Sequence, residues 1–221
     1  PDIKNELCQR CFKLKNYNIL TNKGINIDND KLINKINELN TCVLFLVDFI
    51  NLDSEVIDAY KKIKSKKILI ITKADIIPKN IKYQKLIQNI KNIYDIKEDL
   101  ILTSSKTKLN IKTITKICLE EKNICLAGFT NAGKSSLINA LVGSDITVSK
   151  KSNTTQDFIK LNVDGINIYD APGFMSNINR ENIPRSIIRP ITYQFPSKHY
   201  LLIQDIKLNI LENSNFTIYV G

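Results

Sequence analysis

The chain has 221 residues, 43% of them hydrophobic and 24% charged, with a formal net charge of +10. A chain of this size buries one good core, or one core plus a small appendage, and the balance of apolar and charged residues excludes a disordered class. No apolar run approaches the roughly 20 residues of a membrane span, and the opening PDIKNELCQRC lacks the apolar segment of a secretory signal, so a cytoplasmic protein without membrane contact is expected.

Residues 1–25 are polar and irregular. Beyond them helices are expected over 30–40, 54–63, 81–93 and 109–119. Between them lie continuous apolar strands: TCVLFLVD (41–48), KILIIT (67–72), DLILTS (99–104) and NICLAG (123–128). Strands that are apolar on both faces and alternate with helices build a parallel, right-handed α/β sheet. A helix over 134–141 follows, and then a polar stretch over 144–156. DFIKLNV (157–163) and INIYD (166–170) flank Asp164-Gly165, a two-residue hairpin signal. Past Gly173 the character changes: Pro184, Pro190 and Pro196 punctuate the chain, and HYLLIQDIKLNI and NFTIYVG read as short antiparallel strands. A domain boundary is expected near 175–182.

The positive charge suggests a polyanionic partner. Lysine is abundant throughout, which also fits a merely solvated basic face. Arginine is more telling, since only four occur and Arg180, Arg185 and Arg189 fall within ten residues. Five cysteines, three of them in apolar stretches, argue against a disulfide framework and for a reducing compartment.

Gly128, Gly133, Lys134 and Ser135 satisfy G-x-x-x-x-G-K-[ST], with a strand before and a helix after. Such a loop turns its backbone N–H groups inward on phosphate oxygens, which the glycines permit. Asn131, Ala132 and Ser136 complete it. Lys134 would reach the β- and γ-phosphates, the Ser135 hydroxyl would ligate Mg²⁺, and the helix N-terminus adds partial positive charge.

Four further loops narrow the nucleotide. Thr72-Lys73-Ala74-Asp75 follows a buried strand, as the guanine-reading [N/T]-K-x-D motif does. The Asp carboxylate can accept from guanine N1–H and N2–H₂ while the Lys stem lies along the ring. Ser104-Ser105-Lys106 after the next strand resembles the loop whose backbone N–H meets guanine O6. Asp170-Ala171-Pro172-Gly173 fits D-x-x-G, with Asp holding Mg²⁺ through water and the Gly N–H sensing the γ-phosphate. Asn153-Thr154-Thr155-Gln156 suits a switch threonine, Thr155, on Mg²⁺. Each could be turn chemistry alone, yet all lie at strand carboxyl ends, where such sheets bind ligands. In ordinary GTPases the phosphate loop comes first and the base-reading loops last. Here the order is TKAD, SSK, phosphate loop, switch threonine, DAPG: a circularly permuted, Ras-like α/β P-loop GTPase. The helix after SSK must lead into the phosphate-loop strand, which a neighbouring position in the sheet would permit.

The chain resembles the YqeH family of circularly permuted ribosome-assembly GTPases, through CQRCFKLKNYN (8–18), TKAD, SSK, GFTNAGKSSLIN, NTTQD, DAPG and the Pro-rich start of a β-rich C-terminal region. The motif order is shared with other permuted GTPases, the RsgA type among them, and the Cys8-Gln-Arg-Cys11 opening carries the narrower assignment. The resemblance implies an incomplete zinc-finger segment over 1–25, a GTPase domain over 26–178 and a partial β-rich region over 179–221 that contacts RNA or another partner. It implies a slow GTPase acting with GTP/GDP and Mg²⁺ on ribosomal RNA or the small ribosomal subunit.

Departures from the family carry their own expectations. A second Cys pair is missing, so Cys8 and Cys11 half-fill a zinc site. Thr72 stands where Asn is usual, removing an amide that braces the phosphate loop and base, so weaker guanine selectivity is expected. Phe174 follows DAPG in place of the Gln that orients water in Ras-like enzymes. The resembling class places an Asn in the phosphate loop to position K⁺ with the switch loop, and Asn131 holds that place. Lys134, Asn131 and Thr155 are thus assigned to hydrolysis. Two alternatives stand beside this reading: an ATP-dependent P-loop enzyme, and an RNA-binding scaffold with a decayed GTPase domain.

Overall fold

The computed structural model describes residues 28–142, 148–149, 158–163, 165–176, 189–203 and 206–220. The expected alternation of helix and strand is present. Helix α1 (Asn29–Glu38) starts on Asp28, whose carboxylate accepts from the N–H groups of Asp30 and Lys31, and it buries Leu32, Ile33 and Ile36. Strand β1 (Cys42–Asp48) is buried at every position. Helix α2 (Ser54–Lys61) is capped by Asp53 onto the Val56 N–H. Strand β2 (Lys67–Thr72) and helix α3 (Tyr83–Tyr94) follow, then β3 (Leu100–Leu102), α4 (Ile111–Glu121), β4 (Asn123–Gly128) and α5 (Lys134–Val142). Strands β5 (Val148–Ser149), β6 (Ile159–Val163) and β7 (Ile166–Asp170) complete a seven-stranded sheet of order β3-β2-β1-β4-β7-β6-β5. The first five in that order pair in parallel, while β6 and β5 join antiparallel.

The central strands read as continuous apolar runs because both faces are covered. Side chains alternate across a strand, so Val43, Phe45 and Val47 of β1 face one cluster with Ile33, Ile36, Val56 and Tyr60 of α1 and α2. Leu44 and Leu46 face the other, with Ile114 and Cys118 of α4 and Leu137 of α5. Between them the two clusters cover both sides of the parallel strands.

One expectation fails in the sheet order. The phosphate-loop strand β4 is not a neighbour of β3, because β2 and β1 lie between them. Helix α4 therefore carries the chain back across the sheet. Its buried residues Ile111, Ile114 and Cys118 pack with Ile68 and Ile70 of β2, Leu44 and Leu46 of β1 and Ile124 and Leu126 of β4. The chain enters the sheet at its middle, builds to one edge, crosses under its own first strands and builds to the other edge. That path is the structural form of the permuted motif order.

Beyond the sheet, β9 (His199–Ile203) pairs antiparallel with β10 (Ile206–Ile210), as the sequence pattern suggests. Strand β8 (Arg189–Phe195), which the pattern did not suggest, pairs with β11 (Ser214–Val220). Pro190 within it cannot donate to a ladder. A two-stranded ribbon leaves an outer edge where that loss is tolerated.

Candidate nucleotide site

Four of the expected loops emerge at the carboxyl ends of parallel strands: TKAD after β2, the serine loop after β3, the phosphate loop after β4 and DAPG at the end of β7. The fifth, Asn153-Thr154-Thr155-Gln156, lies outside the described residues. Hydrogen bonds then clasp the four together. Thr72 Oγ1 donates to the Ala132 carbonyl at 2.8 Å in a buried position, tying the base-reading loop to the phosphate loop. This corrects the expectation that Thr72 loses the brace: a hydroxyl on the short threonine stem reaches the loop backbone directly. Gly133 explains the closeness, because a Cβ there would lie 3.3 Å from Thr72 Oγ1 and its φ is +91°. Gly128 is tighter still. Its φ is +146°, and a Cβ would fall 2.2 Å from the Leu46 carbonyl oxygen on the neighbouring strand.

The two base-reading loops are joined as well. Ser104 Oγ donates to Asp75 Oδ1 at 2.7 Å and accepts from the Thr107 N–H at 3.2 Å. The Ala74 N–H bonds to the Thr103 carbonyl at 3.0 Å. Ser104 is fully buried, while Ser105 is half-buried and Lys106 is exposed. Asp75 is therefore aimed by a neighbouring loop before any ligand arrives. Lys73 adopts left-handed backbone angles, φ 59° and ψ 29°, a conformation that costs a non-glycine residue about 1–2 kcal/mol and tends to persist at functional sites.

On the phosphate side, Lys134 Nζ lies 3.0 Å from the Gly128 carbonyl, its side chain curled over the loop it follows. Asn131 is exposed and left-handed at φ 65°, a region asparagine tolerates better than most residues. Ser135 and Ser136 are exposed in the first turn of α5. Asp170 is paired in register with Leu126 of β4 and so stands one strand away from the phosphate loop. Its charge is felt at Cys125, where burial pushes the thiol up to about 12, Asp170 adds to that rise and Lys134 opposes it. The Ser135 hydroxyl and Asp170 carboxylate are hard oxygen donors suited to Mg²⁺ rather than a softer metal.

DAPG is held against the phosphate loop at both ends. The Ala171 N–H bonds to the Leu126 carbonyl at 2.9 Å, and the Phe174 N–H to the Gly128 carbonyl at 3.1 Å. The Thr130 N–H and hydroxyl reach the Phe174 carbonyl at 3.3 and 3.2 Å. A Cβ on Gly173 would meet the Thr130 nitrogen at 3.2 Å, so the two loops touch. The Phe174 ring is fully buried between Phe45 and Phe129, with centroids 5.6 and 5.5 Å away. It belongs to the core and cannot orient water.

Two features escaped the sequence reading. The Asn29 amide brackets Met175, donating to its carbonyl at 2.7 Å and accepting from its N–H at 3.0 Å, and Ser176 Oγ donates to Glu55 Oε2 at 2.6 Å. The chain leaving DAPG is thus clipped to the first turns of α1 and α2. Asp48, at the end of β1, pairs with Lys73. Its signal was a carboxylate closing an otherwise apolar strand. Thr155, Cys8, Cys11, Arg180 and Arg185 lie outside the described residues; among the described residues no group of three or more His, Cys, Asp or Glu side chains could hold a metal ion.

The family described as 50S ribosome-binding GTPases matches residues 123–216. The chain is similar to YqeH of Bacillus subtilis, 29% identical over 90% of this chain and 62% of that protein. It is 27% identical, over 86% of its length and 53% of the relative's, to a GTP-binding protein of Methanocaldococcus jannaschii. It is 37% identical to the tRNA modification GTPase MnmE of Pelagibacter ubique, over 41% of this chain and 21% of that protein. Among solved structures, YjeQ of Thermotoga maritima is similar with a TM-score of 0.46 and 24% identity, over 61% of this chain and 48% of that one. The chain thus spans between half and two thirds of the length of the relatives it matches along most of its own.

Proposed function

We propose that this chain, a GTPase of the YqeH type with its motifs in permuted order, binds and hydrolyses GTP as a switch in ribosome assembly. Its nucleotide state would govern its hold on ribosomal RNA or the small ribosomal subunit. The observation that carries the reading is the clasp of separate loops at the carboxyl ends of the parallel strands, with Thr72 joined to Ala132, Ser104 to Asp75 and Phe174 to Gly128. Turn residues without a common ligand have no reason to be drawn together in this way.

In this reading Asp75 accepts from guanine N1–H and N2–H₂, and the backbone of Ser104–Lys106 meets O6. The N–H groups of Gly128–Ser136 cradle the phosphates, and Lys134 turns from the Gly128 carbonyl to the β- and γ-oxygens. Ser135, Asp170 and Thr155 would hold Mg²⁺, which supplies charge neutralisation when bound. Because Phe174 is committed to the core, water must be oriented by another group. Asn131, exposed on the phosphate loop, is proposed to place K⁺ beside the phosphates, in a GTPase of slow intrinsic turnover. Zinc binding by Cys8 and Cys11 once a second Cys pair is supplied, cytoplasmic location and the division into segments 1–25, 26–178 and 179–221 belong to the same proposal.

Titration with fluorescent GTP and ATP analogues tests the base: guanine preference is expected, and ATP preference would overturn the reading. Turnover in KCl should exceed that in NaCl, and equal rates would remove the K⁺ role. The family name specifies the 50S subunit, whereas the resemblance implies the small one. Co-sedimentation with each subunit in GTP and in GDP decides between them, and occupancy independent of nucleotide on both would refute the switch.

A further inference from the structure

Asp48 is a buried charge with a choice of partners. Its side chain is only 2% exposed at the end of an apolar strand, and an ion so placed is tolerated only when paired and hydrogen-bonded. Oδ1 accepts from the N–H groups of Ile50 and Asn51 at 3.1 and 3.2 Å, and Oδ2 accepts from Asn51 Nδ2 at 2.7 Å. The two Oδ1 bonds cap one short 3₁₀ turn, a task that needs no net charge. The charge has another counterpart, Lys73 Nζ, 3.6 Å from Oδ2 and itself largely buried at 19% exposure.

The position of β1 gives that pair its meaning. β1 lies between β2, which carries the base-reading loop, and β4, which carries the phosphate loop. Asp48 is in register with Thr72 on one side, and two residues before it Leu46 is in register with Gly128 on the other. Reaching Asp48 therefore draws the Lys73 side chain from its own loop toward the phosphate loop. The left-handed backbone of Lys73 launches it from a conformation that a neighbour must help hold.

Resting on the proposed guanine site, we propose that Asp48 is a positioning residue: it anchors the Lys73 ammonium so that the aliphatic stem forms a fixed platform along the guanine ring. Base affinity then depends on a residue that touches no nucleotide. GDP and GTP are affected alike, because the platform is remote from the γ-phosphate.

The test is a double-mutant cycle on the whole chain, read by fluorescent GDP and GTP titration. Asp48→Asn keeps an oxygen for the Ile50 and Asn51 N–H groups and removes the charge; Lys73→Met keeps most of the stem and removes the ammonium. Each single change is expected to weaken both nucleotides by about tenfold, and the double change should be no worse than either, since both break the same contact. A thermal melt of Asp48→Asn separates lost positioning from lost folding. Wild-type affinity retained in Asp48→Asn, or losses that multiply in the double variant, would overturn the inference while leaving the guanine site standing. A wild-type chain that binds no guanine nucleotide would remove both.

Discussion

Replacing Thr72 by valine isolates the brace between the base-reading and phosphate loops. Valine matches threonine in shape, so the change exchanges the hydroxyl that donates to the Ala132 carbonyl at 2.8 Å for a methyl group at a position 6% exposed. Losing the bond and leaving a buried carbonyl without that donor costs about 2 kcal/mol. The new buried methyl returns about 0.8 kcal/mol, for a net loss near 1 kcal/mol. In a domain of this size that lowers the melting temperature by about 2–4 °C. The ligand-free protein is melted by scanning fluorimetry beside Thr72→Ser, which keeps the hydroxyl. The valine variant should also bind GDP more weakly than the serine variant, because the loop it frees is the one proposed to cradle phosphate. A Thr72→Val protein that melts at or above the wild-type temperature and binds GDP as well would refute the brace.

Gly128→Ala should abolish nucleotide binding or yield insoluble protein, because its Cβ would lie 2.2 Å from the Leu46 oxygen and force β1 from β4; a soluble, GDP-binding variant would contradict this geometry. Ser104→Ala removes the bond that aims Asp75 and should lower discrimination of GDP over ADP by about three- to tenfold, measured by competition. The buried thiols set an alkaline limit: burial first, then nearby charge, pushes Cys118 and Cys125 up to about 12 from a starting value of 9.0. In the unfolded chain they ionise near that starting value while the folded protein keeps them protonated. Their contribution is thus complete below pH 9 and fades as pH rises toward 12. Urea midpoints at pH 8 and 10 should fall more for the wild type than for a Cys118→Ala, Cys125→Ala variant, and equal falls would count against this assignment.

The local elements were legible in the sequence because their causes are local. KILIIT and NICLAG are strands of the expected bounds, Lys67–Thr72 and Asn123–Gly128, because uninterrupted apolar runs of that length suit a doubly covered strand. The phosphate-loop, TKAD and DAPG patterns likewise stood out, since the chemistry proposed for them requires fixed residue types at fixed spacing along the chain. Strand order was not, because adjacency in a sheet is set by which helix covers which face; only packing shows α4 spanning β2, β1 and β4. Bonds between distant residues were equally invisible. The Thr72 hydroxyl meets a carbonyl 60 residues away, the Asn29 amide brackets a residue 146 positions later, and Asp48 finds Lys73 across a strand boundary. Sequence therefore singled out the loops that the proposed nucleotide site uses. The tertiary structure decided how they are held together, because a hydrogen bond or an ion pair depends on distance in space and leaves no period along the chain.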